Sequence, residues 1–422
     1  MYTSAILGAG VLVLPGEAAT IAGPASLVAW LVASLMGVPL AFVFAALSSR
    51  FPDAGGVSTY TRMAMGDAAG AVVGWWYFVA GSVGQAAVTL TAGHFLVAAF
   101  QLPQWWSVMF AAAVLAVGVT ANLFAVRTWS GLQIGLAAGV GAILIAVIVS
   151  SVPRVDLSAL TPVAPHGLAG IGSAIVVLLF AFAGWEAVTH LSAETKTPSR
   201  TIPRATVATV AIVTVLYVGV AWAVTATGTY GEPETNRVAI GLILAQAWGW
   251  SAIAAMTVAA VVICLGTTNA FIAGVSRLGY AMARDGWAPR AMAYRDGNGT
   301  PRVSIAAVAF IAVAGLATAA ILDVGAAEII SVSSVLVLTT YAAAMFAAAR
   351  LLRGGRRVAA GGIGLLMVAL VPFAGWMLSI PAVIAVAVFV IGRMRARNTV
   401  GGHTQTTVGS ALDAPVSARP PT

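Results

Sequence analysis

Apolar runs long enough to cross a hydrocarbon core recur from one end of this chain to the other, and they constrain the fold more than any motif does. A helix needs ~20 residues for the crossing. Runs of that order lie at Thr3–Ile21, Ser26–Leu47, Gly70–Phe100, Trp105–Phe124, Leu132–Val152 and Leu168–Leu191. A second set follows at Ala205–Thr227, Ser251–Ala283, Val303–Leu322, Glu328–Arg350, Ala360–Met377 and Ile380–Arg393. The long runs from Gly70 and Ser251 read as single tilted helices. Only 8% of the 422 residues are charged, against roughly 25% in a soluble domain. The expected fold class is therefore an all-α integral membrane protein of about twelve transmembrane helices with both termini on one side.

Charge sets the orientation. The formal net charge of +8 comes from twenty arginines and one lysine, Lys196, against 13 acids. The cations do not form a nucleic-acid surface, because they sit in short loops between apolar runs. Arg50 and Arg62, Arg127, the group Lys196, Arg200 and Arg204, and the group Arg284, Arg290, Arg295 and Arg302 occupy alternate loops. Arg350, Arg353, Arg356 and Arg357 follow in the same set, with Arg393, Arg395 and Arg397 after the last run. The intervening loops offer Arg154 and Arg237. By the positive-inside rule the arginine-rich loops and both termini face the cytoplasm, so the expected location is the cytoplasmic (inner) membrane.

Two runs carry chemical information. In the first, Gly8-Ala9-Gly10 precede an apolar stretch with Pro15; in the sixth, Phe180-Ala181-Phe182-Ala183-Gly184 precede Trp185 and Glu186. A break inside a membrane helix frees N–H and C=O groups that lipid cannot satisfy, so it survives where it lines a protein cavity. A half-helix beginning near Gly10 turns its N–H groups and positive dipole end toward that cavity, which suits a carboxylate. Carbonyls freed around Phe182 and Ala183 suit an ammonium. Interrupted helices at matching positions of two halves point to the midplane site of a secondary transporter. Taken alone, Gly-Ala-Gly reads more often as close helix packing than as a ligand site; its pairing with the sixth-run break favours a site.

Acids within the spans are the coupling candidates, since an ionised group in the bilayer is costly. Glu186 follows the sixth-run break and Glu17 lies about two turns beyond Gly10. For Glu186 the competing reading is structural hydrogen bonding. His94 and His190 read as core or interface residues. No Lys or Arg occurs from Leu132 to Val152, which leaves a carboxylate-borne proton, sodium held by oxygen ligands, or no coupling ion. The single cysteine, Cys264, and four scattered histidines exclude disulfides and offer neither a metal site nor a catalytic constellation. No enzyme activity, metal or cofactor is expected.

Four segments resemble the amino acid/polyamine/organocation superfamily. The stretch Phe182-Ala183-Gly184-Trp185-Glu186-Ala187-Val188-Thr189-His190-Leu191-Ser192-Ala193-Glu194, followed by Lys196, Pro198, Arg200, Pro203, Arg204 and Ala205, is similar to its sixth-helix signature. Gly8-Ala9-Gly10-Val11 with Pro15, then Phe51-Pro52-Asp53-Ala54-Gly55-Gly56-Val57, and Arg277-Leu278-Gly279-Tyr280-Ala281-Met282-Ala283-Arg284-Asp285-Gly286 resemble three more, in family order. The first and sixth segments look closest to the amino acid efflux branch, similar to exporters of methionine and branched-chain amino acids. The 277–286 segment resembles importing permeases, so import or exchange is the alternative direction. A non-transporting membrane sensor is the alternative of another class.

The resemblance implies a five-plus-five inverted repeat, about residues 3–152 and 168–350, with extra helices at about 360–393. It implies a carboxylate held by the N–H groups of Gly8, Ala9 and Gly10, an amine held by carbonyls of Ala181, Phe182 and Ala183, Phe180 as an aromatic gate and Phe271 as a wall. With apolar neighbours and no arginine at the site, the expected substrate is a neutral, aliphatic amino acid moved by alternating access. The family places a half-helix ahead of the Gly8 position, where seven residues stand here, so an upstream start is expected. Residues 1–397 form the transporter domain, and the polar segment 398–422 is expected to be a disordered cytoplasmic tail.

Overall fold

A computed structural model describes residues 8–51, 53, 55–124, 130–184 and 198–406. The first half comprises α1 (Gly10–Ala22), α2 (Ser26–Arg50), the short α3 (Val57–Met65), α4 (Asp67–Phe100), α5 (Trp106–Leu123) and α6 (Ser130–Ser151). The second comprises α7 (Gly167–Leu178), α8 (Pro198–Ala226), α9 (Pro233–Trp248), α10 (Trp250–Arg284), α11 (Arg302–Leu322) and α12 (Ala326–Leu351). Two further helices, α13 (Gly355–Leu370) and α14 (Ser379–Thr406), end the chain as described.

Among the described residues, 8 helical stretches are long and apolar enough to cross a membrane. Gly10–Arg50 and Gly355–Gly392 each divide in two at a 3-10 turn, and the shorter apolar helices Ala138–Arg154 and Gly167–Leu178 bring the membrane helices to the expected twelve. The chain is an all-α, multi-pass membrane protein. Its last helix reaches Thr406, so residues 398–406 are helical where a tail was expected; 407–422 lie outside the described residues.

The interior belongs to α4 and α12, whose most apolar windows are 72% buried, while the 355–392 stretch is 17% buried and faces outward. Inside the bundle, several hydroxyls donate to backbone carbonyls. Ser82 donates to Phe78 O (2.7 Å) and Thr225 to Ala221 O (2.7 Å) within their own helices. Others bind helices together: Ser333 donates to Ala80 O (2.8 Å), joining α12 to α4, and Ser334 to Val177 O (3.0 Å), joining α12 to α7.

The short α3 follows the second membrane helix and packs on α4 and α12; α9 follows the seventh and packs on α1, α10 and α6.

Candidate substrate site

The breaks read from the sequence meet in space. Helix α1 begins at Gly10 with Ala9 as its N-cap and no side chain capping it. Its first N–H groups therefore have no partner inside the helix; the first turn closes with Leu12 N–H on Ala9 O at 3.0 Å. On the other side α7 ends at Leu178 and tightens into successive 3-10 turns. There the N–H groups of Ala181, Phe182 and Ala183 donate to the carbonyls of Leu178, Leu179 and Phe180 at 2.9, 3.2 and 3.2 Å. With those donors engaged, this strand of backbone offers a ligand carbonyl oxygen rather than N–H.

The two breaks touch at Gly10. A Cβ there would lie 3.0 Å from Ala181 Cα and 3.1 Å from Ala181 Cβ, so the approach requires glycine. Each break is also tied to a tyrosine from another helix. The phenol of Tyr217 on α8 is hydrogen-bonded to the backbone of Gly8, and Gly184, at φ 124°, donates its N–H to the Tyr341 hydroxyl on α12 at 3.4 Å.

Between the breaks and α4, α10 and α12 lies a narrow cavity. Of the residues named from the sequence, Gly8, Ala9, Gly10, Phe180, Ala181, Ala183 and Phe271 line it. Phe182 does not: its ring turns away into an aromatic cluster with Trp30 and Tyr217, at 6.1 and 5.6 Å between centroids. Gly184 also lies off the wall. The residues that sequence reasoning missed are chiefly Tyr77, Gly84 and Gln85 on α4, Thr267 on α10 and Ser333 on α12. Gly84 leaves room for the Phe180 ring, whose edge would stand 3.0 Å from an added Cβ. Among the described residues, the wall carries no Asp, Glu, Lys, Arg or His.

Of the coupling candidates, Glu186 lies outside the described residues. Glu17 is half-buried beyond the cavity, bonded to the side chain of Asn236 and within reach of the charges of Glu328 and Arg237. Asn236 Nδ2 also donates to Thr20 Oγ1 at 2.9 Å, fastening α9 to α1. Among the described residues no cluster of metal-ligating side chains occurs.

Two of the motif segments meet elsewhere. Arg62 on α3 pairs with Asp285, and Arg284 reaches Asp53 Oδ2 at 3.6 Å, so the loop before α3 and the end of α10 form one ionic network. Burial alone would raise the pKa of Asp53. Hydrogen bonds from Thr59 Oγ1 and Gly55 N–H, both 2.7 Å, and the charges of Arg284 and Arg62 outweigh it and hold the carboxyl below its usual value.

Comparison with known proteins agrees with this architecture. A family model described as amino acid permease (AA_permease_2) matches residues 1–405. The uncharacterized amino acid permease YecA of Bacillus subtilis (strain 168) is 29% identical over 405 residues, 94% of this chain and 93% of that protein. The L-methionine/branched-chain amino acid exporter YjeH of Escherichia coli (strain K12) is 28% identical over 380 residues, 89% of this chain and 90% of the other. The branched-chain amino acid permease BcaP of Bacillus subtilis (strain 168) is 28% identical over 315 residues, 68% of this chain and 65% of its own length. With its helix order, its paired breaks and a match along nearly its whole length, the chain belongs to the amino acid permease family.

Proposed function

We propose that this permease is a secondary active transporter that exports a neutral, aliphatic amino acid across the cytoplasmic membrane by alternating access. The observation that carries the reading is a cavity touched by both helix breaks and, among the described residues, walled without a charged side chain. The uncapped start of α1 offers donors to a carboxylate and the turn at 181–183 offers acceptors to an ammonium. A zwitterion satisfies both. A cationic or anionic side chain would need a buried counter-charge, which this wall does not provide. Phe180 and Phe271 give the aliphatic part apolar contact.

The remaining assignments belong to the same proposal. The repeats run over about residues 3–152 and 168–350, the arginine-rich loops and both termini face the cytoplasm, and the breaks rock with their bundle around the fixed site. The likeness to an exporter of methionine and branched-chain amino acids supports the outward direction and the efflux branch. Glu186 and Glu17 are the residues on which coupling would depend.

The test is uptake and counterflow of labelled leucine and methionine in proteoliposomes, with and without a pH gradient, for wild type, Glu186→Gln and Glu17→Gln. Saturable counterflow that responds to the gradient, with one variant losing that response, supports the proposal. Gradient-driven accumulation in the import direction would reverse the assigned direction. No flux of any neutral amino acid by folded protein would overturn the substrate class and leave a sensor role as the better reading.

A further inference from the structure

We propose that Gln85 reads the substrate's ammonium group, a specificity determinant that α4 adds to the backbone groups of the two breaks. The inference rests on the reading of the cavity as an amino acid site.

Four polar side chains stand on the wall: Tyr77, Gln85, Thr267 and Ser333. Ser333 Oγ donates to Ala80 O at 2.8 Å and so has a fixed partner. Gln85 is 1% exposed, and its Nε2 donates to Gly81 O at 3.1 Å. That bond fixes which way the amide lies, because Oε1 in the same place would set two oxygens against each other. The acceptor end is therefore left over. It is closed off from solvent and has no partner, and among the cavity's side chains it is the one buried polar atom in that state.

A stranded amide oxygen in a low-dielectric wall calls for a donor. A carboxylate has none to give, whereas an ammonium has three. Gln85 shares the cavity wall with Gly84, the residue that makes room for Phe180 at the α7 break and stands close to Ser333. The carboxylate belongs to the opposite break, at the uncapped start of α1. Glutamine suits the place better than glutamate would, because a neutral acceptor leaves the empty cavity uncharged and a zwitterion keeps it so.

The experiment uses the full chain in lipid nanodiscs and three probes that share one aliphatic body. These are leucine, 3-methylbutylamine, which lacks the carboxylate, and 4-methylpentanoate, which lacks the amine. Binding is titrated for wild type, Gln85→Met and Gln85→Glu. Gln85→Met is expected to weaken leucine and 3-methylbutylamine by tenfold or more and to leave 4-methylpentanoate unchanged. Gln85→Glu is expected to shift preference toward 3-methylbutylamine, and this readout decides the matter if the methionine variant does not fold. An equal loss for all three probes would make Gln85 a packing residue, and unchanged amine affinity in both variants would remove it from the site; either result overturns the proposal. Wild type that binds 3-methylbutylamine but not leucine would sink the amino acid reading while keeping the role of Gln85.

Discussion

Replacing Gly10 by alanine tests whether the contact between the two helix breaks matters for binding. The new Cβ would sit 3.0 Å from Ala181 Cα and 3.1 Å from Ala181 Cβ, where carbon atoms normally rest ~3.5–4.0 Å apart. Since a backbone atom is involved, no rotamer change relieves the contact, and the start of α1 must move off the 181–183 turn by a few tenths of an ångström. Forcing an extra methyl into a packed interior costs typically about 1–3 kcal/mol, partly offset by alanine's helix preference of up to about 1 kcal/mol over glycine. The fold should therefore persist. The substrate should suffer more, because both of its charged ends are positioned by the two segments that separate. A loss of about 1.4 kcal/mol is a tenfold weaker affinity, so the half-saturation concentration for leucine counterflow is expected to rise about tenfold. Gly274→Ala is the control, as an added Cβ there meets nothing within 4 Å. A Gly10→Ala protein with normal yield, normal thermal midpoint and a half-saturation within twofold of wild type would refute the idea that this contact shapes the site.

Three further outcomes follow from other contacts. Gly16→Ala would bring a Cβ to 2.9 Å from Asn236 Cα; it is expected to pry α9 from α1 and lower the thermal midpoint, and an unchanged midpoint would count against α9 being held to α1 at this contact. Because the Asp53 carboxyl is held below its usual value, its stabilising contribution is complete above the ordinary carboxylate range and is lost as pH falls through that lowered value. The melting advantage of wild type over Asp53→Asn should therefore shrink between about pH 5 and pH 3, and an advantage that stays constant across that window would exclude the mechanism. Tyr341→Phe removes the acceptor for Gly184 N–H; loss of one neutral hydrogen bond is worth about 1 kcal/mol, so counterflow affinity should fall several-fold while Tyr280→Phe, away from the cavity, leaves it unchanged.

The membrane helices were legible because their signal is length and apolarity, which need no knowledge of neighbours. The same criterion passed over α3 and α9, which are short and lie outside the long apolar runs. For α9 a local signal existed, since Pro233 follows Glu232 and occupies the first helical turn, where proline is favoured. At the candidate site, Gly8 to Gly10 and Phe180 to Ala183 could be found because a run of small residues marks a backbone break. Gln85, Thr267 and Ser333 could not, because one polar residue in a long apolar helix does not reveal which neighbour it faces. Phe182 shows the converse limit: its backbone belongs to the break, yet its ring serves a cluster with Trp30 and Tyr217. At the end of the chain, the polar composition of 398–422 read as a tail, while α14 runs to Thr406.

The ionic network of Asp53, Arg62, Arg284 and Asp285 has a consequence for how kinship is read in such chains. Two of the four segments that suggested a family, 51–57 and 277–286, place none of their described residues on the cavity wall and instead lock together the ends of distant helices. Likeness in those segments testifies to a shared machine and is silent about cargo. Cargo would be written in the few wall positions that α4, α10 and α12 supply. Two permeases could therefore agree through every recognisable signature and still carry different molecules, while a change at Gln85 or Ser333 would alter the freight and leave the signatures intact.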